Sequence, residues 1–396
     1  MRIFKVYNPT MISRPEPIRQ ISASFQIHPV TALLGPRQCG KTTLAHLIAE
    51  QEPATIFDLE SPVDVQRLSA PMQAFKAASG LIIIDEVQRK PELFELLRVF
   101  VDRPDQNARF LLLGSASPQL VKGVSESLAG RIGFVDLAGF QLWEVGVQYL
   151  DRLWLRGGLP KAFLADSESN SIQWRENFIR TFLERDIPQL GITIAAETLR
   201  RFWTMVAHYH GQVWNAAEFA RALGTAENTA RRYLDILSGA YMVRVLPPWY
   251  ENLKKRQVKA PKIYIRDSGL FHSLLQISTL ADLQGHPKIG ASWEGFALEH
   301  IIHFFRTRDA YFWATHAGAE LDLLVSIAGK RYGFECKYSD APGRTRSMHV
   351  AIQDLGLEHL YVIYPGEETY ALDDKITAIP LKMISELGQS DPRLNK

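Results

Sequence analysis

Cysteine is almost absent: Cys39 and Cys336 are the only two in 396 residues. They show no metal-ligand spacing, which excludes a disulfide scaffold or a zinc knot and suits a reducing, cytoplasmic setting. No apolar run approaches the roughly eighteen residues that a membrane helix needs, so no membrane partner is expected. The first residues also lack the apolar core of a secretion signal. Neither sign of charge dominates. The net charge is +2, so no global field draws the chain to nucleic acid, and any such surface must be local. What remains is a chain of ordinary composition, long enough for about two to four domains.

The most informative stretch is Gly35-Pro36-Arg37-Gln38-Cys39-Gly40-Lys41-Thr42-Thr43. It follows a short apolar run, Val30 to Leu34, and precedes Leu44, Leu47 and Ile48 at helical spacing. Strand, glycine loop and helix are the context of a phosphate-binding P-loop. The glycines let backbone N–H groups turn inward as a nest at a helix N-terminus, where anions are favoured. Lys41 can then reach the β- and γ-phosphates of ATP, and Thr42 offers its hydroxyl to Mg²⁺.

A second apolar run, Leu81 to Ile84, ends in Asp85-Glu86. Asp85 is suited to hold Mg²⁺, and Glu86 to act as the base that orients an attacking water. Residues 1–20, with Pro9, Pro15 and Pro17, read as irregular, and Val63 to Ala77 as one helix. Further strands are expected at Ala54–Phe57, Arg109–Leu113 and Ile132–Leu137, with helices between, which implies an α/β parallel sheet. Gly35, Asp85 and Ser115 all follow strands and should converge at the carboxyl edge of that sheet.

The P-loop, the I-I-I-D-E strand and the polar-ended L-L-L-G-S strand resemble the AAA+ ATPases. That resemblance implies that Ser115, with Ser117 second, senses the γ-phosphate. It also implies that Arg131 of Leu128-Ala129-Gly130-Arg131 meets the γ-phosphate of its own subunit or, in a homo-oligomer, of a neighbouring one. The expected ATPase core spans residues 1–150. A connector and helical lid follow over 151–192, with Gly157-Gly158-Leu159-Pro160 as a hinge. The Ile172–Ile187 helix carries Trp174, Phe178, Phe182 and Leu183 on one side, with Arg175, Arg180 and Arg185 elsewhere.

Residues 193–280 read as a winged helix-turn-helix. Helices are expected at Leu199–His208, Trp214–Leu223 and Glu227–Leu237, with Asn215 as a cap and Gly224-Thr225 as the turn. Asn228, Arg231 and Arg232 should face outward. The wing carries Lys254, Lys255, Arg256, Lys259 and Lys262, cations able to track the phosphates of DNA.

The pattern restarts in residues 281–396. A helix, Ala291–Phe305, holds Glu294 and Glu299; strands are expected at Tyr311–Ala314, Glu320–Val325 and Tyr332–Tyr338. Glu335 and Lys337 share one strand face because side chains repeat every two residues. Helical Glu, then Asp322, then Glu335-x-Lys337 resembles the PD-(D/E)xK nuclease superfamily, with Leu321 where proline is usual. The resemblance implies that Asp322 and Glu335 bind Mg²⁺ or Mn²⁺ and that Lys337 steadies the water or the phosphate. Glu294 is the chosen helical acid and Glu299 the weaker one. The whole chain resembles prokaryotic ATPases with a winged-helix middle and a nuclease-like end. The alternative role is a nucleotide-switched scaffold whose nuclease-like part only binds partners.

Overall fold

A computed structural model describes residues 12–78, 80–103, 107–115, 127–251 and 256–387. The chain divides into two units: residues up to Ala138 with Glu144–Gly146, and Gly139–Trp143 with Val147 onward. Among the described residues no helix is long and apolar enough to cross a membrane.

The first unit is built on five parallel strands: β1 (Val30–Gly35), β2 (Ala54–Asp58), β3 (Leu81–Asp85), β4 (Arg109–Ser115) and β5 (Ile132–Asp136). Their order is β2-β3-β4-β1-β5. β1 and β3 are buried along their whole length, as strands covered by helices on both faces must be. Two sequence expectations need correction. Residues 15–25, within and beyond the stretch read as irregular, form a helix that buries Pro17 and Ile21. Its prolines occupy the first turn, where their missing N–H has no partner to lose. The single helix expected over Val63–Ala77 is two, Pro62–Arg67 and Pro71–Ala77, because Pro71 starts a new first turn.

The second unit holds two sheets. Helices Ala196–His208, Ala216–Leu223 and Glu227–Gly239 accompany a three-stranded sheet in which β6 (Gln212–Val213) follows the first helix and β7 (Val243–Leu246) and β8 (Lys262–Ile265) follow the third, in order β6-β8-β7. Asn215 caps its helix by accepting the Glu218 N–H, and Gly224 ends that helix with φ 65°. Arg175, expected outside the apolar stripe, is buried and donates to the carbonyls of Leu155 and Gly269. The mixed six-stranded sheet comprises β9 (Ala310–Ala314), β10 (Glu320–Ile327), β11 (Lys330–Cys336), β12 (His359–Tyr364), β13 (Tyr370–Asp373) and β14 (Ile376–Pro380). Its order is β13-β14-β12-β11-β10-β9. The helix Arg346–Leu355 covers one face, packing Met348, Ala351 and Leu355 against Leu321, Leu360 and Val362. Helix Ile289–Phe305 packs against β11.

One buried polar chain shows how this unit is held. Trp154 donates its indole N–H to Ser292 at 2.9 Å. His272 lies 2.7 Å from the same hydroxyl through Nε2 and 2.9 Å from the Leu155 carbonyl through Nδ1. A carbonyl can only accept, so Nδ1 carries the proton and Nε2 accepts from Ser292. Burial lowers the His272 pKa to about 3, so the ring stays neutral. A folded pKa below the unfolded value of about 6.5 costs stability as pH falls between the two. Replacing His272 with Gln should therefore remove about 1.4 kcal/mol per pH unit from the acid-side slope of wild-type stability below roughly pH 6. Urea midpoints for both proteins at pH 5 and pH 7 measure it; parallel slopes would contradict the assignment.

Candidate functional site: a P-loop and a lysine-filled acid cluster

The P-loop leaves β1 at Gly35 because no side chain fits there: a Cβ would lie 2.1 Å from the Leu137 carbonyl oxygen. Gly40 takes φ 100°, and the helix Lys41–Ala49 starts at the next residue. Arg14, buried, donates to Cys39 O at 3.1 Å and to Ala138 O at 3.2 Å, and pairs with Glu144 at 2.8 Å. It fixes the loop to the chain beyond β5; nothing in its local sequence signals that role. Lys41 folds back onto the loop, its ammonium donating to Gly35 O at 3.0 Å and Pro36 O at 2.8 Å.

Thr42 donates its hydroxyl to Asp85 Oδ2 at 2.6 Å. β4 lies between β1 and β3, so this bond spans the carboxyl edge of the sheet. Asp85 Oδ1 accepts the Glu86 N–H at 2.8 Å. Glu86 itself sits at φ 52°, a left-handed conformation that is strained for this residue type. Its carboxylate accepts from Gln88 and lies 3.9 Å from Arg37 of the P-loop. Burial pushes the Glu86 carboxyl above its usual range, while Arg37, Gln88 and Lys41 pull it back. A half-buried carboxylate facing two cations beside a phosphate nest is chemically equipped to polarise a water.

Ser115 and Arg131, also predicted from the sequence, lie at opposite ends of the sheet. The Ser115 backbone pairs with Gly35 at the carboxyl edge, while Ser117 lies outside the described residues. Arg131 does not join the P-loop of its own chain. Its carbonyl accepts the Val30 N–H, at the amino end of β1, five strand residues or about 17 Å from Gly35. Its guanidinium grips Asp102 at two points, 2.6 and 2.8 Å. The own-subunit reading is thereby corrected, and the neighbouring-subunit reading remains.

In the second unit Asn228, Arg231 and Arg232 are exposed on their helix, and Arg256 and Lys259 are exposed beyond β7. Lys254 and Lys255 lie outside the described residues. Lys262 departs from expectation. It is not a surface wing cation; its side chain is 5 % exposed and lies among acids. It reaches Glu294 at 3.2 Å, Asp322 at 3.8 Å and Glu320. Burial works against its charge, but Tyr264, Glu294, Asp322 and Glu320 hold its pKa well above the usual value.

The helical acid, Asp322 and Glu335 do converge. β10 shifts register between Leu321 and Leu324, a bulge that brackets Asp322. Asp322 Oδ2 then accepts the Cys336 N–H at 2.9 Å. Glu335 pairs with Lys337 at 2.9 Å. Burial raises the pKa of both Glu335 and Glu294, and the charge of Asp322 raises each further. Glu294 also accepts from Tyr264 at 2.6 Å. Lys262 and Tyr264 are two residues apart on β8, so strand parity brings both to Glu294; that alternation was the available signal. Glu299 faces elsewhere, to Arg244, Arg266 at 3.2 Å and His303 at 3.5 Å. Among the described residues no group of three or more His, Cys, Asp or Glu is arranged to hold a metal.

Three family models match the chain in turn. A family model described as an AAA domain matches residues 28–146, and models described as domains of unknown function, DUF8612 and DUF4143, match residues 147–281 and 289–384. Among solved structures, the chain is similar to a Walker-type ATPase of Pyrococcus abyssi, at 16 % identity over 67 % of this chain and 96 % of that one, with a TM-score of 0.48. It is also similar to a STAND-class signal transduction ATPase of Pyrococcus horikoshii, at 12 % identity over 76 % of this chain and 46 % of that one, with a TM-score of 0.25. Uncharacterised proteins of Mycobacterium tuberculosis and Mycobacterium bovis are each 51 % identical over 384 residues, covering 97 % of this chain and 87 % of theirs. Residues 28–146 form an AAA-type P-loop ATPase domain, and the chain belongs to the family of these mycobacterial proteins.

Proposed function

We propose that this protein binds ATP with Mg²⁺, hydrolyses it, and uses the exchange to control an action on DNA. The hydrogen bond between Thr42 and Asp85 carries the first part, because it brings a hydroxyl and a carboxylate together at the mouth of the P-loop. Those two oxygens fit a hard cation such as Mg²⁺, which when bound would offset the charge of the phosphates. Lys41 leaves the Gly35 and Pro36 carbonyls for the phosphate oxygens. The nest of residues 35–43 holds the phosphates at the helix N-terminus. Glu86 orients the attacking water and accepts its proton. Any role of Arg131 is toward the nucleotide of a neighbouring copy.

DNA contact rests on the exposed Asn228, Arg231 and Arg232 and on the exposed Arg256 and Lys259 of the winged-helix reading. Glu227 tempers it, lying 3.8 Å from Arg231. For the C-terminal unit, a metal-dependent nuclease is supported by the meeting of Glu294, Asp322, Glu335 and Lys337. A second reading, in which that unit binds partners without cutting, is favoured by Lys262. Its ammonium lies where Asp322 would turn an oxygen to a cation, so the residues as arranged do not fit a divalent metal.

Glu86→Gln should lower the rate of phosphate release by about 10²-fold or more. A wild-type rate in that variant would remove Glu86 as the base. Arg231→Ala combined with Arg232→Ala should weaken duplex binding and flatten the dependence of log K on log salt by about 0.9 for each phosphate that the protein no longer neutralises. An unchanged slope by fluorescence anisotropy would place any DNA-binding surface elsewhere.

A further inference from the structure

Lys262 belongs to β8, the middle strand of the three-stranded sheet, yet its side chain ends among the acids of the six-stranded sheet and its helix. The approach is fixed. β8 is paired on both sides, by β6 and by β7. The chain leaving β7 is tied to β9: Phe312 donates to Pro247 O at 3.1 Å, and Trp249 donates to Phe312 O at 2.7 Å. The Lys262 ammonium lies 5.7 Å from the centre of the Phe312 ring. The Lys262 backbone is paired with Val213 on one side and Leu246 on the other, so the strand that carries the ammonium is fixed as well as its tip.

The carboxylates around it are already engaged. One oxygen of Asp322 takes the Cys336 N–H, and the other faces Lys262. Glu294 Oε1 takes both Tyr264 and Lys262. Glu320, itself half exposed, pairs with the same ammonium. An ammonium and a divalent ion cannot share such a space, since like charges a few ångströms apart in a poorly solvated site repel strongly.

We propose that Lys262 is the resident cation of the C-terminal acid cluster, holding the position that a divalent metal would otherwise take between Glu294 and Asp322. This rests on the second reading above and supplies its physical basis. The site is a lysine-centred ion-pair node that joins the two sheets of the second unit, and it excludes metal while Lys262 is in place. Removing the lysine leaves buried carboxylates without their cation, which a hard divalent ion can replace through oxygen ligands.

The test is a Mn²⁺ titration of the full chain without nucleotide, followed by electron paramagnetic resonance. The wild type should show no site tighter than roughly millimolar. Lys262→Met should gain one site at least about tenfold tighter, lost again in Lys262→Met/Asp322→Asn, while Lys262→Arg gains none. A stoichiometric wild-type site abolished by Asp322→Asn would overturn the proposal. So would a Lys262→Met protein that gains nothing, or one whose gained site survives Asp322→Asn. If Lys262→Met does not fold, the wild type against Asp322→Asn alone decides it. Phosphate release, measured on the same samples, reads the P-loop separately. Plasmid nicking by the wild type in Mn²⁺, abolished by Asp322→Asn, would instead sink the non-cutting reading itself.

Discussion

The bond from Thr42 to Asp85 is the constraint on which the first unit turns. It exists only because β4 separates β1 from β3 by one strand, so that the start of one helix meets the end of another strand across the sheet edge. Everything around it serves that meeting. Gly35 lets the loop pass under Leu137, Arg14 holds Cys39, and the buried β1 and β3 set the spacing. The strained backbone at Glu86 turns its carboxylate toward Arg37 instead of back along the strand. Strain of this sort, of order 1–3 kcal/mol, survives only where surrounding structure over-determines it.

The second unit solves a different problem, the burial of charge. Arg175 donates through Nε and Nη1 to the backbone carbonyls of Ser171, Leu155 and Gly269. Glu299 is matched by Arg244 and Arg266, whose charges hold it well below the usual carboxylate range against the cost of burial. Lys262 is matched by three acids. Breaking a buried pair by removing one partner costs about 3–5 kcal/mol, more than the pair itself gains over apolar packing. Such pairs therefore specify which surfaces meet. Glu294 and Glu299 sit on one helix yet belong to separate nodes, five residues apart and on different faces.

The sheet of the first unit was legible because its strands are largely apolar runs, and β1 and β3 in particular stay so up to the glycine loop and the acidic pair. The P-loop was legible because its spacing is set by the phosphates themselves. The two misread prolines share a cause: a proline signals a break or a beginning, and only packing distinguishes them. Pro15 opens a helix that buries Ile21, and Pro71 divides what periodicity joined. Arg131 was placed by its neighbours in sequence, but it stands at the start of β5, which runs parallel to β1 toward the P-loop, so it lies at the opposite end of the sheet. Lys262 was missed for a deeper reason. A lysine among lysines reads as solvated, and its burial depends on Glu294, Glu320 and Asp322, residues 32 and more positions away. Composition cannot reveal that; the alternation of Lys262 with Tyr264 is the only local trace.

The most direct measurement of the central claim is isothermal calorimetry of the wild-type chain with ATP and Mg²⁺, alongside Lys41→Ala. One nucleotide bound per chain, with binding heat lost in Lys41→Ala, is the outcome required if the nest of residues 35–43 grips phosphate. No heat of association with any adenine nucleotide, or equal binding by the two proteins, would contradict it.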